Sequence, residues 1–88
     1  MLPLPTLRQL EYVVALAELR SFHGAARATH VSQPGLSAQI RAVEALLGVR
    51  LFERDRRPVL VTPAGAALLP RARAALAEVR GLVEAAQA

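Results

Sequence analysis

Gln33, Pro34 and Ser37 stand at the opening of a helical pattern, and their chemistry is that of reading bases. A glutamine amide can pair bidentately with adenine N6 and N7. A proline ring offers an apolar surface to a thymine methyl. A serine hydroxyl one turn further along can reach a base or a phosphate. Gln39 and Arg41 flank the same helix and add two groups able to touch bases or phosphates. Ser32 precedes them as a helix cap at the same end. Ser21 and the amides after it open another helix, whose partly positive end suits a phosphate. Arg56 lies in a basic turn, Arg54-Asp55-Arg56-Arg57-Pro58, and is a further contact of this kind.

These groups need elements that hold them. Ser21 to Gly48 reads as two short helices with a tight turn at Thr29 to Ser32, where Val31 plugs the core. That is the layout of a helix-turn-helix, whose second helix enters the DNA major groove. In that helix Leu36, Ile40, Val43 and Leu47 share one face, and Pro34, Ser37, Ala38, Arg41 and Ala45 fall on the other. Gly48 ends it. Upstream, Pro3 and Pro5 keep a short lead-in extended, and Thr6 with Gln9 forms the capping-box pattern T-x-x-Q. A supporting core helix follows from Leu7 to about Arg20, with Leu7, Leu10, Val13, Val14 and Ala17 at helical spacing.

Beyond Gly48 the period changes. Val49 to Glu53 and Val59 to Thr62 are β-prone and flank the basic turn, so they predict a two-stranded wing with Pro58 at an edge. Thr62-Pro63 then opens a fourth helix. Leu69, Ala72, Leu76, Val79, Val83 and Ala86 step by alternating threes and fours along it, an a/d seam that asks for a partner helix. Pro70 should bend this helix locally, and Gly81 is a second weak point. The expected fold is mainly α: a winged helix-turn-helix of three helices plus a two-stranded wing over residues 1–62, then a long linker and dimerisation helix over 63–88.

Composition narrows the classes. The chain has 88 residues, the size of one small domain with a thin core. It is 53% hydrophobic but only 3% aromatic, which suits packed helices built from Leu, Val and Ala. Its net charge is +4, its pI is about 11.4, and all eleven basic residues are arginine. Such a balance is the footprint of a nucleic-acid binder, although basic chains also meet membranes and acidic partners. There is no cysteine, so no disulfide and no thiolate metal site. Neither His23 nor His30 has a ligand partner at metal spacing, and no metal or cofactor is expected. No apolar run reaches the roughly 20 residues that span a bilayer, and the N-terminus lacks a signal-peptide order. The expectation is a cytoplasmic chain without a membrane partner.

From Ser21 to Gly65 the sequence resembles the N-terminal DNA-binding domain of LysR-type transcriptional regulators. The matching blocks are SF-x-x-AA at Ser21 to Ala26, VSQP-x-LS-x-QI at Val31 to Ile40, and VE at Val43 and Glu44. LLGVRLFER at Leu46 to Arg54 and T-x-AG at Thr62 to Gly65 complete the series. The opening LRQLEYVVALAE, Leu7 to Glu18, is similar to the first helix of that family. LEYVVALAE together with LSAQIR most resembles its peroxide-sensing branch. The resemblance implies a winged helix-turn-helix and a linker helix that pairs antiparallel in a homodimer. It implies a tetramer in the full-length regulator and an imperfect T-N11-A palindrome as the site on double-stranded DNA. It agrees with DNA contacts at Gln33, Pro34 and Ser37. In the wing it implies that Arg54 meets a phosphate and Arg57 enters or borders a narrow A·T minor groove. One position departs: Ala38 stands where many members carry arginine. The family's C-terminal effector-binding domain is not in this chain, which is therefore expected to be a fragment.

Two other functions compete. A protein-interaction or dimerisation module would explain the seam but not the base-reading helix and the arginine wing. A nonspecific architectural DNA binder would keep the charge and lose sequence preference. Catalysis has no support: no paired carboxylates sit in an apolar setting, no glycine-rich phosphate loop is present, and Ser, His and Asp show no catalytic order. The function expected is sequence-specific DNA binding as part of a transcription regulator.

Overall fold

The structure, a computed structural model, describes residues 3–88. Met1 and Leu2 of the expected lead-in lie outside the described residues. Four helices and a two-stranded antiparallel sheet follow in the order α1 (Leu7–Leu19), α2 (Phe22–Ala28), α3 (Gln33–Leu47), β1 (Phe52–Glu53), β2 (Leu60–Val61) and α4 (Pro63–Gln87). Each helix begins where a side chain can take over an orphan amide. Thr6 and Gln9 form the full capping box: the Gln9 amide donates to Thr6 Oγ1 at 3.0 Å and the Thr6 amide to Gln9 Oε1 at 2.9 Å. Ser21, Ser32 and Thr62 accept from the amides of Gly24, Gly35 and Gly65, each at 3.0 Å. Such caps contribute about 1 kcal/mol apiece.

The first helix stops one residue earlier than expected, because Arg20 turns left-handed at φ 55° as its cap. This conformation costs a non-glycine residue roughly 1 kcal/mol. It aims the Arg20 carbonyl at the wing, where the Val59 amide donates to it at 3.0 Å. At the end of α3 the same conformation, φ 71°, falls to Gly48, where it costs little.

The core is built from the inner faces of α1 to α3 with the base of the wing. Leu16, Ala25, Leu36, Ile40 and Phe52 are fully buried, and Val31 packs against them from the turn. Two apolar expectations shift. The buried stripe of α1 is Tyr12, Val13 and Leu16 rather than one starting at Leu7, which is 45% exposed. Leu47 is 40% exposed, and Glu44 takes the place it was expected to hold on the inner face of α3. The sheet is also shorter than the β-prone stretches, with only Phe52 opposite Val61 and Glu53 opposite Leu60.

The fourth helix continues through Pro70 and Gly81. It lies against α1, and this changes the meaning of the seam. Leu69 belongs to the chain's own core, and Leu76 is buried as well. Ala72 and Val79 are half-buried, whereas Val83 and Ala86 are exposed. The heptad spacing could not separate these cases, since a helix on its own chain and a helix on a partner bury the same stripe. Leu82, just beside the seam, is the most exposed large apolar residue of α4 at 70%.

The wing enters α4 through a close approach. Thr62 Oγ1 donates to the Arg50 carbonyl at 2.6 Å, and the Thr62 amide donates to the Leu51 carbonyl at 2.9 Å. A Cβ at Gly65 would land on the Leu51 carbonyl oxygen. Gly65→Ala should therefore destabilise the domain by about 1–3 kcal/mol through overpacking. Leu16→Ala should cost about 2–5 kcal/mol through the cavity it leaves. Urea unfolding followed by circular dichroism measures both.

Candidate nucleic-acid interface

The turn between α2 and α3 sets the start of α3 at the surface. Gln33 and Pro34 are exposed in its first turn, Ser37 is half-buried one turn on, and Arg41 is exposed another turn along. Proline costs nothing there because first-turn amides have no intrahelical acceptor. Ser32 is exposed, with its hydroxyl oxygen taken up by the cap. Ser21 is half-buried and caps α2 in the same way.

A polar groove runs between the start of α2, the start of α3 and the wing. Ser21, His23, Gln33, Arg54, Arg56 and Arg57 line it, together with Arg20. None of its lining residues is acidic. A shallower depression adjoins it, formed by Phe22, Gln33, Pro34, Ser37 and Arg54. The fold thus brings Ser21, Gln33, Pro34, Ser37, Arg54, Arg56 and Arg57 to one continuous surface. Arg20, Arg56 and Arg57, with no carboxylate lining the groove beside them, make a local attraction for a polyanion. Arg56 and Arg57 are exposed at the wing tip, and the Arg57–Pro58 peptide is cis.

Two expected contacts are placed differently. Gln39 is exposed, but its Oε1 accepts from Gln9 Nε2 at 3.0 Å. It ties the start of α1 to α3 instead of pointing freely outward. Arg54 is turned inward, and its Nη2 donates to Glu44 Oε1. The Glu44 carboxylate also accepts from the amides of Leu51, at 2.7 Å, and Phe52, at 3.3 Å.

Glu44 and Arg8 did not stand out in the sequence. Glu44 carries a legible signal: it follows Leu36 and Ile40 at steps of four, so a charge sits on the apolar stripe. Arg8 lies with its guanidinium 5.0 Å from the Tyr12 ring centroid, donates from Nε to Tyr12 Oη at 3.1 Å, and donates from Nη2 to the Thr29 carbonyl. It fastens α1 to the end of α2. Its exposed pair with Glu11, at 3.4 Å, adds little.

Comparison with known proteins places this geometry. A sequence profile described as "Bacterial regulatory helix-turn-helix protein, lysR family" matches residues 7–66. The DNA-binding transcriptional dual regulator OxyR of Escherichia coli (strain K12) is 56% identical over 80 residues, which is 91% of this chain and 26% of that protein. The chain thus spans about a quarter of the length of that relative. Among solved structures, Corynebacterium glutamicum OxyR in its oxidized form superposes with a TM-score of 0.90 at 44% identity, over 96% of this chain and 27% of that one. The DNA-binding domain of BenM, solved with catB site 1 DNA, superposes with a TM-score of 0.89 at 40% identity, over 93% of this chain and 92% of that one. The likeness of LEYVVALAE and LSAQIR to the peroxide-sensing branch agrees with two of these relatives. The match over residues 7–66 and the shared winged fold together establish that the chain belongs to the lysR family of bacterial regulatory helix-turn-helix proteins.

Proposed function

We propose that this chain binds double-stranded DNA sequence-specifically as the reading part of a LysR-type transcription regulator. The observation that carries the reading is one surface shared by base-reading and phosphate-attracting groups. Gln33, Pro34 and Ser37 stand at the N-terminal turns of α3, where a recognition helix meets base edges. Arg56 and Arg57 stand across the groove on the wing, placed to follow the backbone into the neighbouring minor groove. Ser21 and Ser32 border the surface as caps, and their hydroxyl oxygens already accept intrachain bonds. Arg41 reaches phosphate from further along α3. Ala38 between them offers a methyl group where an arginine would add charge, so this chain leans on Gln33 and on thymine contacts for its preference. The DNA-binding domain of BenM, solved with DNA and sharing this fold at 40% identity, supports the docking.

The linker helix supplies the second half of the reading. Two copies pair through the part of α4 that the chain's own core leaves uncovered: Val79, Val83 and Ala86, with Leu82 beside them. Leu69 and Leu76 hold α4 to its own domain, and Ala72 sits at the boundary. Antiparallel pairing then presents two reading helices to one face of an imperfect T-N11-A palindrome. In the whole regulator, a cytoplasmic tetramer with an effector-binding domain, changes in that domain alter the spacing of the pairs. The signal proposed for that whole regulator is peroxide, a reading supported by the likeness to hydrogen peroxide-inducible genes activators.

Fluorescence anisotropy over a salt series tests the reading, with a T-N11-A duplex and the same bases scrambled. The palindrome should bind more tightly, by up to about 10³-fold, and Gln33→Ala should remove most of that preference. Equal affinity with a steep salt slope would leave phosphate contacts alone and make the chain an architectural binder. Val83→Arg with Leu82→Arg should shift the chain to monomer in sedimentation and weaken the palindrome while sparing a half-site. An unchanged sedimentation profile would rule out that surface.

A further inference from the structure

Glu44 is a charged residue on the inner face of the helix that carries the base-reading side chains, only 8% exposed. It does not face DNA. Its carboxylate points to the wing, where the amides of Leu51 and Phe52 and the guanidinium of Arg54 all donate to it. Arg54 is the first residue after β1, where the chain leaves the sheet for the turn that carries Arg56 and Arg57. The pair therefore fastens α3 to the root of the wing tip.

The wing needs such a fastening. Each strand has two residues, and a lone two-stranded hairpin is marginal in water. Phe52 anchors the near strand in the core, and the Val59 amide anchors the far strand to the Arg20 carbonyl. Between these two points, Arg54 has the recorded side-chain bond that reaches from the turn back to α3. A guanidinium in a fixed fork holds a direction as well as a distance. Its charge is matched by Glu44, so the pair as a whole adds little to the attraction for phosphate.

We propose that the Glu44–Arg54 pair is a positioning device that fixes the angle between the base-reading helix and the wing, and so sets which flanking base pairs Arg56 and Arg57 reach. Arg54 acts through this pair rather than as a phosphate ligand, and Glu44 becomes a specificity-determining residue that never touches DNA. The inference rests on the DNA-reading function proposed above.

The test uses the 88-residue chain, the single variant Glu44→Gln and the double variant Glu44→Gln/Arg54→Gln. The double variant keeps the net charge of the parent chain, so its long-range field is unchanged. Each protein is titrated against duplexes that differ only in the flanking base pairs, A·T or G·C, and against duplexes that differ only in the core. Hydroxyl-radical footprinting reads the flanking minor groove. Circular dichroism melting reports the fold. In both variants the flank preference should fall towards one and the flanking protection should fade. The core preference should stay within about threefold, less than the typical effect of one mismatched base pair, and the double variant's salt slope should be unchanged. A salt slope lower by about one in the double variant, with the flank preference intact, would make Arg54 a phosphate ligand and overturn the proposal. Flank and core preference lost together would overturn it too, as would failure of both variants to fold. Absence of any core preference in the parent chain would instead remove the DNA-reading function on which the pair's role depends.

Discussion

The joint between α3 and the wing depends on one carboxylate. Removing a carboxylate from water costs several kcal/mol, and the geometry must return that energy through bonds made in place. Glu44 receives three donors: the backbone amides of Leu51, just before β1, and Phe52, its first residue, and one guanidinium just beyond the strand. The Leu51 amide lies just before β1 and the Phe52 amide at its first residue, and both are buried with Glu44 as their acceptor. The same group thus solves a local problem of backbone hydrogen bonding and a global one of orientation. Everything on the far side of the joint, including Arg56 and Arg57, inherits its placement from it.

The rest of the fold supports the same economy. A domain with so few aromatic residues makes its core from Leu, Val, Ile and Ala, and small alanines at 25 and 26 let α2 lie close to its neighbours. Polar ties then fix what loose aliphatic packing would leave adjustable. Arg8 joins α1 to the end of α2, Gln9 joins α1 to α3 through Gln39, and Arg20 joins α1 to the wing through its carbonyl. Two of these ties end at α3 and at the wing, the elements that carry the proposed DNA contacts. The interface is therefore held from behind, and its own side chains at Gln33, Pro34 and Arg57 remain exposed.

The apolar stripe of the fourth helix changes character along its length. Its first three turns cover the open side of the core with Leu69, while its last turns stand clear with Leu82 and Val83 exposed. A helix that is core at one end and bare at the other transmits the position of whatever pairs with it directly into the domain. In the proposed dimer, this would couple the spacing of two copies to the presentation of their two α3 helices.

Much of this was legible in the residue order. The caps at Thr6, Ser21, Ser32 and Thr62, the glycine stop at Gly48 and the two short strands follow from local rules in which a side chain satisfies a nearby backbone group or sets a nearby dihedral. The blocks from Ser21 to Gly65 carried the family, and Gln33, Pro34 and Ser37 came from their chemistry at the opening of one helix, with which the family agrees. What the sequence could not decide were contacts between elements. Arg54 read as a phosphate ligand because its partner, ten residues away, is set only by the angle at which the wing folds back. Gln39 read as a DNA contact because nothing local reveals Gln9 beside it. Leu69 and Leu76 read as a dimer seam because helical spacing states that a stripe is buried without stating by what. Local chemistry is written in neighbouring residues, whereas the choice among partners for a long polar side chain or an apolar stripe is made by packing, and only the tertiary structure holds that choice.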